Sequence, residues 1–254
     1  MWSAATSTGP GTASLELTNT FKSGEGCDPA QTKTPCNGFP ADVQATVVYT
    51  LTKDNQLKIT YTAINSSSTQ DTVINLTNHS YFNLGGEASG TVEHQLLQIN
   101  ADQYTPVDAN LIPTGELKPV EGGLFDFRTA RRVEDGIRDG RDPQIVFGRG
   151  YDHNWALDKG QTKTPELAAR LEDPASGRVL EVLTTEPGVQ FYAGNFLDGT
   201  LVGKQGHLYR MGDGIALEPQ KFPDSPNKPN FPSARVDPGK PYRHVMVYRL
   251  SVKR

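Results

Sequence analysis

Val43-Gln44-Ala45-Thr46-Val47-Val48-Tyr49-Thr50-Leu51 alternates, with Val43, Ala45, Val47, Tyr49 and Leu51 on one face. A period of two marks a half-buried strand, because successive side chains point to opposite faces of a sheet. Lys53-Asp54-Asn55-Gln56 follows as a polar turn. Leu57, Ile59, Tyr61 and Ala63 then alternate again, with Lys58, Thr60 and Thr62 opposite. Two alternating runs about a short polar turn predict an antiparallel hairpin.

Outward from that hairpin the same signals recur. Strands are expected over 71–77, 94–100, 179–186, 188–193, 214–218 and 242–252. In the last, Tyr242, His244, Met246, Tyr248, Leu250 and Val252 share a face. The best helix candidate is short, around 129–138, and Gly136 weakens it. The 25 glycines and 18 prolines break the 254 residues about once in six, as many short strands joined by turns require. No Gly-X-Y period appears, which excludes collagen. The turn-rich stretches 101–150 and 221–241 are long excursions of the kind that carry binding groups. With no repeat and no linker, the expectation is one all-β domain over 1–254.

A net charge of −4 supplies no basic face for nucleic acid or an anionic membrane. No run approaches the roughly 18 apolar residues of a membrane span. The stretch from Met1 to Ala13 lacks the basic-then-apolar pattern of a signal peptide. Cys27 and Cys36, the two cysteines, flank a polar loop with proline near both ends. A disulfide there would pin the loop and indicate a periplasmic or secreted protein; free thiols would indicate the cytosol. The loop slightly favours the disulfide. Two cysteines with no His nearby make no zinc site.

Asn75-Leu76-Thr77-Asn78-His79-Ser80-Tyr81-Phe82-Asn83-Leu84-Gly85-Gly86 concentrates polar side chains behind a strand. Either its Asn side chains cap a turn around a core histidine, or the segment faces a polar ligand. Tyr151-Asp152-His153-Asn154-Trp155 sets a carboxylate and an amide beside a large ring, which suits a sugar's hydroxyl edges and C–H faces; the alternative is a strand entry with Trp155 in the core. Glu218 ends the apolar run Gly214-Ile215-Ala216-Leu217 directly before Pro219. Partly buried there, its carboxyl would titrate high enough to act as a general base; otherwise it is an ordinary solvated strand end. Gly-x-Ser-x-Gly, phosphate-loop, dinucleotide and His-Glu-x-x-His patterns are absent from the sequence.

Taken in order, 75–86, 151–155, 185–199, 217–220 and 235–242 resemble the aldose 1-epimerases, or galactose mutarotases, with likeness from about Phe39 to the C-terminus. The resemblance implies a large twisted β-sandwich with a sugar cleft on its concave face. It implies His79 as general acid, Glu218 as general base, Asp152 and Gln190 as binders of sugar hydroxyls, and Tyr81 beside the acid. His153 takes no catalytic role. The implied partner is a small free aldose such as galactose or glucose, with no metal or other cofactor. Reference values of about 4.3 for Glu and 6.5 for His suit acid–base work near neutrality after modest tuning.

Two departures stand out. The family resemblance also implies an N-terminal portion with an Asn-Arg and a His-Gly-Gly segment, supplying an Arg and a second His to the site. Neither segment occurs in this sequence. The sandwich is therefore expected to be N-terminally incomplete, with Met1-Trp2 a remnant of the family's Trp-containing strand. The loop 22–38 with its two cysteines reads as an insertion. Two other functions fit parts of the pattern. One is a carbohydrate-binding module, which needs no acid–base pair; the other is a metal-dependent enzyme built on His79, Asp152, His153 and Glu218.

Overall fold

Val43–Thr52 and Gln56–Asn65 form the expected hairpin, paired from Val43 opposite Asn65 to Leu51 opposite Leu57. At its tip Asn55 takes φ 56°, a left-handed position that Asn tolerates better than most residues. Val43, Ala45, Val47, Ile59, Tyr61 and Ala63 are buried. Toward the tip the pattern outlasts the core: Leu51 is exposed. The structure is a computed structural model that describes residues 1–24 and 38–253; Cys27 and Cys36 lie outside the described residues.

The hairpin sits within a nine-stranded antiparallel sheet. Its spatial order is Ser3–Gly9, Thr12–Phe21, Val43–Thr52, Gln56–Asn65, Pro241–Val252, Arg178–Thr184, Glu166–Glu172, Leu96–Ile99 and Arg131–Arg132. A second, six-stranded sheet runs Tyr81–Phe82, Ile215–Gln220, Gly188–Tyr192, Asp152–Ala156, Gln103–Thr105 and Lys118–Pro119. One hydrophobic cluster joins the two: Ile59, Tyr61, Leu180, Val182, Met246 and Tyr248 from the larger sheet, Trp155, Val189, Phe191, Ile215 and Leu217 from the smaller. The Phe82 and Tyr248 rings meet across it, edge to face at 4.9 Å. This is a β-sandwich, with each strand's inward residues set by the period of two.

The smaller sheet is braced by aromatic packing. Trp155 and Tyr151 are fully buried, and each polar tip finds a carbonyl: Trp155 Nε1–H donates to Phe125 O at 3.0 Å, and Tyr151 O–H to Leu124 O at 2.8 Å. Rings this large each contribute roughly 2–3 kcal/mol by burial, and the hydrogen bonds remove the cost of drying their polar ends.

Two expectations are corrected. The stretch 129–138 is not an α-helix: Arg131–Arg132 pairs with Leu96–Ile99 as an edge strand, and Val133–Asp135 makes a single 3-10 turn. Gly136 follows, so close to Tyr151 that an added Cβ would lie 2.4 Å from its hydroxyl. Among the described residues the α-helix is instead Pro143–Gly148, opened by Asp142 accepting from the Gln144 N–H and closed by left-handed Arg149. The strand expected over 71–77 is only Thr72–Val73, because the chain beyond it is bound by side chains rather than by a ladder.

Candidate active site

The outward residues of the smaller sheet build the site. Along Asp152–Ala156, His153 and Trp155 point into the core, leaving Asp152 and Asn154 on the other face. Val189 and Phe191 point in along Gly188–Tyr192, leaving Gln190 and Tyr192. Ile215 and Leu217 point in along Ile215–Gln220, leaving Ala216, Glu218 and Gln220. Register then aligns two rows across the face. One is Asn154, Gln190 and Glu218; the other is Asp152, Tyr192, Ala216 and Tyr81.

Hydrogen bonds knit the rows diagonally, at the spacing where long side chains of neighbouring strands still reach each other. Gln190 Nε2 donates to Asp152 Oδ1 at 2.8 Å, and Gln220 Nε2 donates to Gln190 Oε1 at 3.3 Å. His79, two residues before Tyr81, places Nε2 3.3 Å from Glu218 Oε1. The imidazole is half-exposed, 48% against 10% for the Glu218 side chain. Its ring packs on Tyr81 at 5.0 Å and meets Tyr192 edge-on at 5.9 Å.

Burial pushes the Glu218 carboxyl up to about 7, and the nearby Asp152 charge adds to the shift. A protonated His79 at 3.3 Å would pull the other way. Asp152 is also raised by burial, opposed by the Gln190 hydrogen bond and by His79. The Tyr81 and Tyr192 phenols are raised, first by burial and then by neighbours that include both carboxylates, so both stay neutral hydroxyls at ordinary pH. The site therefore holds one carboxyl poised to take a proton near neutrality, beside an open imidazole.

All five residues singled out from the sequence, His79, Tyr81, Asp152, Gln190 and Glu218, meet on this face. The core-histidine reading of 75–86 is corrected in part: its Asn side chains do cap backbone groups, but His79 is not in the core. Asn75, Asn78 and Asn83 bond backbone groups, whereas His79 faces outward. His153, placed by the metal reading in a four-residue ligand set, points the opposite way. The Asp152 N–H donates to its Nδ1 at 3.1 Å, and its Nε2 lies 3.2 Å from Gln144 Oε1, which can only accept. The tautomer is thus the Nε2–H form, and burial lowers the ring to about 3, so it stays neutral. Among the described residues no three or more His, Cys, Asp or Glu side chains gather as a metal cluster.

Tyr192 is the site residue the sequence reading missed. Its position two residues past Gln190, on the same face, was the available signal. Its hydroxyl accepts the Phe196 N–H at 2.9 Å, and the Phe196 ring stacks on it at 6.3 Å. A cavity of about 580 Å³ is lined by Tyr81 together with Asn83, Glu87, Leu197 and Tyr209.

The aldose 1-epimerase family matches residues 28–249. Galactose mutarotase of Mus musculus is 45% identical over 215 residues, 85% of this chain and 59% of that protein. The Homo sapiens galactose mutarotase is 46% identical with the same coverage, and the Escherichia coli K12 aldose 1-epimerase 41% identical over 84% of this chain and 60% of its own. Among solved structures, a galactose 1-epimerase from Lactobacillus acidophilus matches with TM-score 0.79 at 26% identity, over 100% of this chain and 67% of that one. An aldose epimerase homologue from C. elegans matches with TM-score 0.78 at 27% identity, over 100% and 69%. The chain belongs to the aldose 1-epimerase family. It spans 59% of the length of the mammalian mutarotases it matches.

Proposed function

We propose that this chain acts, as a single sandwich domain, on free hexoses such as galactose and glucose, interconverting their α and β anomers. The observation that carries the reading is the His79–Glu218 contact at 3.3 Å. Opening a cyclic hemiacetal requires a proton to leave the C1 hydroxyl while another reaches the ring oxygen. Both oxygens are bonded to C1, so the base and the acid must stand side by side. Glu218, raised to about 7, takes the hydroxyl proton, and His79 gives one to the ring oxygen as the C1–O bond breaks. Rotation about C1–C2 presents the other face of the aldehyde. Closure returns the proton from the ring hydroxyl to His79 and the proton on Glu218 to O1. No net proton or electron is consumed.

Asp152 and Gln190 hold sugar hydroxyls in this scheme, Asp152 as an acceptor and Gln190 as both donor and acceptor. Tyr81 and Tyr192 offer ring surface to the C–H faces. Their fixed placement on strands keeps the reacting centre in register, which is where much of the acceleration in such reactions comes from.

Polarimetry on freshly dissolved α-D-galactose and α-D-glucose at neutral pH tests the reading. Wild type is expected to speed the decay of rotation. Glu218→Gln and His79→Asn are expected to lower kcat by about 10²–10⁴-fold, the usual share of general acid–base catalysis. A folded wild type that binds hexose without speeding the decay would overturn it and leave a carbohydrate-binding protein.

A further inference from the structure

His79 lies where the sheet stops pairing, and its position there needs a cause. The ladder between Tyr81–Phe82 and Ile215–Gln220 consists of Phe82 opposite Ile215 and Tyr81 opposite Ala216. Running that register on would set His79 opposite Glu218 and Asn78 opposite Pro219. Backbone N–H and C=O groups of one residue in an antiparallel strand point to the same neighbour, and the neighbour alternates along the chain. Lys221 directs its pair toward the His79 segment, as described next, so Pro219, two residues earlier, faces the same way. Proline has no N–H to give. Pairing ends at Tyr81 opposite Ala216, where the Ser80 N–H turns to Asn78 Oδ1 at 3.1 Å, and Pro219 offers no N–H with which to resume it beside the reacting pair.

Asn75 closes the gap from the far side. Its Oδ1 accepts the Lys221 N–H at 2.9 Å, and its Nδ2 donates to Lys221 O at 3.0 Å. One side-chain amide thus occupies both backbone groups of the residue just past the end of Glu218's strand, as a facing peptide would. Lys221 is itself a fixed point: its buried ammonium lies 3.1 Å from Glu186 Oε2. On the interior side the same segment hangs on the last strand. The Leu76 carbonyl lies 3.0 Å from His244 Nδ1, and Tyr248 O–H donates to Asn78 Oδ1 at 3.2 Å.

We propose that Asn75 is a positioning residue for the epimerase reaction, its amide substituting for the ladder that ends at Tyr81 and cannot resume at Pro219, and so holding His79 opposite Glu218. The proposal rests on the acid–base reading above. Asn75 touches no reacting atom; it acts through His79. It is also exposed, so shortening it opens no core.

The test measures kcat and KM for galactose in wild type, Asn75→Ala, His79→Asn and the double variant, at enzyme concentrations raised to suit the slower proteins. Asn75→Ala is expected to lower kcat about 10- to 100-fold, as a displacement near 1 Å does, with KM within about twofold. In the His79→Asn background the same change should alter kcat by less than about twofold, because the group it positions is gone. Asn75→Asp, which keeps the acceptor for the Lys221 N–H but turns an oxygen toward the Lys221 carbonyl, should lose kcat in the same direction while melting with wild type. An active wild type in which the Asn75 and His79 losses multiply, or in which Asn75→Ala changes KM alone or nothing, overturns the positioning role. A folded wild type without acceleration removes the acid–base reading, and this proposal with it.

Discussion

Asp152 and Glu218 stand on strands that flank Gly188–Tyr192 and share its outward face, so that the Asp152 charge bears on the Glu218 carboxyl. Part of the rise of Glu218 to about 7 comes from Asp152. Removing that charge as Asp152→Asn should lower the Glu218 value, because a carboxylate ionises more easily without a like charge nearby. The acidic limb of kcat/KM against pH, set by the ionised base, is expected to move to lower pH in Asp152→Asn as the rate itself falls. A pH-rate profile of both proteins checks it; an unmoved limb would separate the two carboxyls.

The same shift makes Glu218 a liability to stability. A folded carboxyl near 7, against an ordinary 4.5, binds protons that the unfolded chain has released. Its contribution is full below about 4.5 and is lost as pH rises through 7. The difference amounts to about 3 kcal/mol. Glu218→Gln is therefore expected to gain stability relative to wild type between pH 5 and pH 8. Urea unfolding at both pH values reads this directly, and a gap that does not widen with pH would refute it.

His153 works in the other direction. A buried ring lowered to about 3 stabilises the fold above the ordinary imidazole value near 6.5 and loses that contribution as pH falls from 6.5 toward 3. His244, buried and lowered to about 4, does the same. His153→Gln should flatten the acid side of the stability profile, and its activity should be as indifferent to a chelator as that of wild type. Chelator-sensitive turnover would revive the metal reading that the orientation of His153 opposes.

The family resemblance implies an Arg and a second His from an N-terminal portion. A version of the protein extended at its N-terminus by such a portion is expected to epimerise galactose at least about tenfold faster, through added contacts to the sugar. Matched polarimetry on the two forms decides; equal rates would show that the face described here is sufficient.

The parts of the fold that could be read in advance were those where one strand face is buried and the other wet. The 43–63 hairpin follows that rule; in Pro241–Val252 the expected Tyr242, His244, Met246 and Tyr248 are buried, but Val245 and Val247 on the opposite face are buried too, and Leu250 and Val252 run out beyond the core and are exposed. Ser3–Gly9, exposed along its whole length, has no buried face and so left no hydrophobic alternation to read. The strand Glu166–Glu172 carries a register shift between Leu167 and Ala169, which breaks the period of two. His79, Asp152, Gln190 and Glu218 were legible as ordered local motifs. The Asn75 amide on Lys221 was not, since it joins residues 146 positions apart and no local spacing encodes such a bond.

The strict alternation of the site strands has an evolutionary corollary. Glu218 is flanked in sequence by Leu217 and Pro219, and Gln190 by Val189 and Phe191. Inserting or deleting one residue within either strand would send a carboxylate or an amide into the sandwich and turn an apolar side chain out toward solvent. Substitution can therefore explore these strands, whereas changes in their length cannot. Length variation among descendants of this sequence should accumulate at the turns, leaving the spacing within Gly188–Tyr192 and Ile215–Gln220 unchanged.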